Sequence, residues 1–70
     1  MPFVAGRTYK IGGFTPNISQ DLEHYFTACG LIPGGSFQVT RLLEGGHIEV
    51  QTRRFTVPLP RNNLDFLTIL

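Results

Sequence analysis

Hydrophobic and polar positions in this chain follow two periods, and the switches between them mark its elements. Residues 8 to 14, Thr-Tyr-Lys-Ile-Gly-Gly-Phe, alternate: Tyr9 and Ile11 share one parity, which predicts a first strand, and Gly12-Gly13 provides a bend or bulge. After Pro16-Asn17 the period lengthens. Leu22 is followed by Tyr25, Phe26 and Cys29 at spacings of three, four and seven, the apolar stripe of one helix running to about Cys29. Ser19 is its N-cap, and Asp21 and Glu23 put negative charge where the helix dipole favours it.

The next stretch, Cys-Gly-Leu-Ile-Pro-Gly-Gly-Ser-Phe from 29 to 37, reads either as a phosphate cradle or as a helix stop followed by a turn. A phosphate-binding loop opens a helix and carries Lys-Ser or Lys-Thr after its last glycine. Here the glycines follow a helix and lead into Ser36-Phe37. Gly30 therefore takes the positive-φ position after the helix, and Leu31 packs back on Phe26, the apolar contact of a Schellman ending. Pro33-Gly34 suits the centre of a type II turn.

Strand patterns fill the remainder. Phe37, Val39 and Leu43 share odd parity, broken by Arg41; Ile48 and Val50 share even parity; Phe55, Val57 and Leu59 return to odd. Glu44-Gly45-Gly46 forms a hairpin loop, and Arg53-Arg54, where parity flips, a tight turn. Pro58 cannot donate to a ladder, so its strand lies at an edge or ends early. Residues 61 to 65 read as one helical turn and 66 to 70 as a closing strand. Five short strands and one helix predict a mainly β fold, a small, partly open β-barrel with the helix at one end.

Composition narrows the function. Seventy residues form one domain, 1 to 70, with little room for a large catalytic cleft. A net charge of +1 and one basic pair, Arg53-Arg54, give no stripe of the kind that holds nucleic acid. The single Cys29, the lack of a long apolar run and the absence of a leader pattern lead to the expectation of a cytoplasmic protein. Cys29 sits on the apolar stripe as a small hydrophobe, Ser19 is used as a cap and Ser36 by the turn, so no catalytic set is expected and the chain is read as a non-enzyme without cofactor.

A partner-binding surface is the better expectation. Tyr25 and Phe26 are successive helix residues about 100° apart, so both cannot point into a thin core, and one reaches a rim. Leu31 and Ile32 add apolar surface past the helix end, and small barrels bind partners through such anchors. The competing assignment puts all four in the core, with Tyr25 the safest surface residue. Arg53 and Arg54 either pair with a partner's carboxylate or phosphate or form a solvated turn.

Taken in order, Lys-Ile-Gly-Gly-Phe (10 to 14), Ile-Ser (18 to 19), the 29 to 37 stretch, and His-Ile-Glu-Val-Gln-Thr-Arg-Arg-Phe-Thr-Val-Pro-Leu-Pro-Arg-Asn-Asn-Leu (47 to 64) resemble the FeoA family over nearly the whole chain. The resemblance implies an SH3-like barrel, monomeric or weakly associating, that acts at the inner membrane beside FeoB, a GTPase-containing ferrous iron transporter, with an additional small Feo subunit left open. A similar barrel ends metal-responsive repressors of the diphtheria-toxin-repressor type, but the Met-Pro-Phe start and the lack of DNA-binding helices suggest a stand-alone module. Because the family serves iron, a small ferrous-ion carrier is the alternative. Its candidate ligands are Asp21, His24, Cys29, His47 and Glu49, with His47 and Glu49 on one strand face. Their spacing matches no known ligand motif, so no metal site is assigned.

Overall fold

The computed structural model describes residues 2–70. Five strands, β1 (Thr8–Phe14), β2 (Ser36–Leu42), β3 (His47–Gln51), β4 (Thr56–Pro60) and β5 (Leu67–Ile69), form one antiparallel sheet in the order β4-β3-β2-β1-β5. One α-helix, α1 (Gln20–Cys29), joins β1 to β2, and short 3₁₀ turns occupy Glu44–Gly46 and Arg61–Phe66. This is a small open β-barrel, as the periodicities predict. Among the described residues no helix is long and apolar enough to cross a membrane.

Two irregularities shape the sheet. β1 pairs with β2 through Thr8 to Lys10 and with β5 through Ile11 to Phe14, and its register shifts between Ile11 and Gly13. The glycines thus let one strand serve both halves of the curl. A Cβ on Gly12 would stand 3.0 Å from Leu70 Cδ2, so the strand and the chain end approach closely here, and a larger residue would displace the exposed Leu70 side chain. A second shift, between Val39 and Arg41 on β2, places Arg41 opposite Glu49. That bulge is why the inward parity of Phe37 and Val39 breaks at Arg41.

The core is formed by Ile11, Phe37, Val39, Ile48, Val50, Leu59 and Leu64 from the sheet and its last turn, with Phe26 from α1 and Leu31 just beyond it. Phe14 stacks on Phe26 with ring centroids 6.2 Å apart. The residues before β1, to which the sequence pattern gave no role, also contribute. Phe3 is buried edge-on against Tyr9 at 5.1 Å, and the Val4 N–H donates to Tyr9 Oη at 2.8 Å.

One strand boundary differs from the sequence expectation. Phe55 does not share an inward face with Val57 and Leu59. It belongs to the turn before β4 and is exposed, because the Thr52 N–H donates to the Phe55 carbonyl at 2.7 Å and closes the turn at that residue. Pro58 does lie on an edge strand, where its missing N–H costs no ladder bond. The closing strand is shorter than 66 to 70, since Phe66 ends the preceding 3₁₀ turn.

Candidate functional site

The helix stop builds one wall of the site. Ser19 Oγ accepts from the Leu22 N–H at 3.1 Å to start α1, and Gly30, with φ 89°, ends it. The Leu31 N–H donates to the Phe26 carbonyl at 2.8 Å and the Gly30 N–H to the Thr27 carbonyl at 3.2 Å, the paired bonds of a Schellman motif. Gly34, with φ 83°, and the Gly35 N–H donating to Ile32 O at 2.9 Å make Pro33-Gly34 the centre of a type II turn. The loop is fastened to β1: Gly34 N–H donates to Ile11 O and Ile11 N–H to Gly35 O, both at 2.9 Å. The amides of Gly30, Leu31, Gly34 and Gly35 are therefore consumed inside the protein and cradle no phosphate.

Replacing Gly30 by alanine forces an L side chain into the left-handed region at a cost of about 1–2 kcal/mol. Its Cβ would also sit 3.3 Å from Thr52 Oγ1. Urea denaturation of Gly30→Ala should show that loss, with the midpoint shifted and the slope unchanged.

The facing wall is the turn after β3, and Thr52 holds it. Its hydroxyl is buried, donates to the Cys29 carbonyl at 2.7 Å, and accepts from the Arg54 and Phe55 N–H groups at 3.3 and 3.1 Å. One side chain thus ties the Arg53-Arg54 turn to the end of α1. Thr52 lies outside the surface expected from sequence. Its signal was a hydroxyl residue opening a four-residue turn, where it bonds the peptide N–H two residues on.

Between these walls lies an open groove of about 1010 Å³. Ile32, Arg53 and Arg54, all expected on a partner surface, line it together, with Thr27, Pro33 and Gln51 around them. Ile32 is 41% exposed, and among the described residues neither arginine has an ion-pair partner. Tyr25 is also exposed but lies on α1 outside the groove lining. Partial burial, then the neighbouring Cys29, push its hydroxyl pKa up.

Phe26 and Leu31 must be removed from the expected surface. Both are fully buried. They belong to the core and are joined by the Leu31 N–H to Phe26 carbonyl bond of the helix stop, so the motif that ends α1 also draws both inward, and the 100° step along the helix leaves Tyr25 outside.

The metal candidates are dispersed. Asp21 and His24 are exposed on α1, Cys29 is buried, and exposed His47 at the start of β3 has Nδ1 3.2 Å from the Gly45 carbonyl. Glu49 shares the outer face of β3 with His47 but is engaged: Arg41 donates to it at 2.9 Å and Thr40 Oγ1 at 2.8 Å. Among the described residues no three His, Cys, Asp or Glu side chains gather as a metal-holding set. The hydrogen bond from Arg41, then that from Thr40, hold the Glu49 carboxyl below its ordinary pKa. A depressed folded-state value means stability present above the unfolded carboxylate pKa and lost as pH falls through the folded one. Melting temperature below about pH 4 should therefore drop less steeply for Glu49→Gln than for the natural chain.

No family model matches the chain. Among solved structures it is similar to the solution NMR structure of protein PA4359 from Pseudomonas aeruginosa, with 33% identity over 97% of this chain and 92% of that one and a TM-score of 0.67.

Proposed function

We propose that the chain, which belongs to the same family as protein PA4359 of Pseudomonas aeruginosa, is a FeoA-like accessory protein of ferrous iron uptake, a reading that rests on its sequence motifs. In this reading it docks on the cytoplasmic part of a FeoB-type transporter at the inner membrane. The observation that supports docking is the groove in which exposed Ile32 adjoins Arg53 and Arg54, two cations without ion-pair partners among the described residues. Apolar anchors beside arginines are the residue types that concentrate binding energy at interfaces. Regulation follows if the chain binds one state of the transporter or its GTPase better than another and so shifts the population toward it.

Calorimetric titration with the purified cytoplasmic domain of the cognate transporter tests this. Saturable binding that depends on the bound nucleotide is expected, with Arg53→Ala weakening it about fivefold to tenfold, as truncation of an interface arginine commonly does. Absence of binding both to that domain and to the whole transporter in nanodiscs would overturn the proposal.

A further inference from the structure

We infer that the groove between the helix stop and the Arg53-Arg54 turn binds an extended acidic peptide segment, with carboxylates on the arginines and an apolar side chain against Ile32 and Pro33. The assignment of that segment to the transporter rests on the preceding reading; the peptide chemistry rests on the groove alone.

Charge selects the occupant. The charged residues lining the groove are Arg53 and Arg54, with no Asp or Glu among them. No acidic group of the described residues pairs with them: Glu49 pairs with Arg41, and Asp21, Glu23, Glu44 and Asp65 do not line the groove. The buried Thr52 hydroxyl fixes the backbone of the turn that carries both arginines, through the Arg54 and Phe55 N–H groups, and a guanidinium meets a carboxylate with paired N–H donors.

Size and surface favour a peptide. An open groove of about 1010 Å³ has room for an extended segment. The one aromatic residue of the lining, Phe37, is buried, so the groove offers no aromatic face on which a base would stack. An extended peptide needs instead an apolar shelf and polar groups for its backbone. Ile32 and Pro33 supply the first. Gln51, whose side chain has no hydrogen-bond partner among the described residues, supplies the second, while Thr27 and Gln38 are occupied by Glu23 O and Gly6 O.

The probe is a fluorescein-labelled decapeptide of alternating leucine and glutamate, read by anisotropy, with the leucine-lysine peptide as control. Binding of the acidic peptide alone is expected, weakened about tenfold or more by Arg53→Glu or Arg54→Glu and by Ile32→Asp, less by Arg53→Lys, and reduced by salt. Both arginines are exposed, and an unchanged amide spectrum verifies that the variants fold. Equal binding of both peptides, unchanged affinity in the glutamate variants, or displacement by inorganic phosphate or ATP at matched concentration would overturn the inference. The intact transporter in nanodiscs separates the two claims. If it binds the natural chain and the double arginine-to-glutamate variant alike, the groove is not the docking site and the iron-uptake reading stands; if only the peptide binds, the groove assignment stands and that reading falls.

Discussion

Phe26→Ala is expected to lower stability by about 3–5 kcal/mol, the usual cost of truncating a buried phenylalanine. The ring is fully buried, stacks on Phe14 and adjoins Leu31, so nothing nearby can collapse into the space without undoing the helix stop. A domain of this size holds roughly 4–10 kcal/mol in total, so the variant should be largely unfolded by moderate urea or mild heating. Its neighbour gives the contrast: Tyr25→Ala removes an exposed ring and should cost about 1 kcal/mol or less. Comparable losses for the two would mean that the helix is rotated from the orientation described.

Thr52→Val is the second large effect. The substitution keeps the shape and removes the hydroxyl that serves the buried Cys29 carbonyl and the part-buried Arg54 and Phe55 amides, leaving them unpaired at a cost of about 1–3 kcal/mol. Because that hydroxyl joins the arginine turn to the helix end, the loss should reach function as well. Amide exchange of Arg54 and Phe55 should quicken, and partner affinity should fall although Thr52 itself is buried. Thr52→Ser should recover most of both. If Thr52→Val matches the natural chain in exchange and affinity, the turn is held by something else.

Much of this architecture was legible because local chemistry and tertiary need agree. Ser19, Gly30 and Pro33-Gly34 do at their own positions what a cap, a left-handed residue and a type II turn demand, and no distant contact is required to read them. Gly12-Gly13 announced the bend in β1 in the same way. Period-two alternation failed where pairing overrides it. The bulge between Val39 and Arg41 exists only against β3, and Phe55 leaves the ladder because Thr52 closes a turn behind it.

The candidate site was half visible for a related reason. Arg53, Arg54 and Ile32 could be named from residue type, but that they line one groove depends on the loop bonds to Ile11 and on Thr52 reaching Cys29, contacts between residues far apart in sequence. Phe26 and Tyr25 could not be assigned in or out from periodicity alone, since adjacent helix positions flank the same stripe. The cap contact between Phe26 and Leu31 decides it, and Phe3 shows that a core residue outside any periodic element leaves no pattern to read.

The central claim is that this barrel works by protein contact at the Ile32, Arg53 and Arg54 groove. The most direct measurement is an amide NMR titration of the labelled chain with the cytoplasmic domain of its cognate transporter, with and without a GTP analogue, and separately with ferrous iron under anaerobic conditions. Shifts centred on Ile32, Gln51, Arg53 and Arg54 are expected with the domain, and an unchanged spectrum with iron alone. Silence with the domain together with iron-dependent broadening around His24 or His47 would contradict it and make the chain a metal carrier.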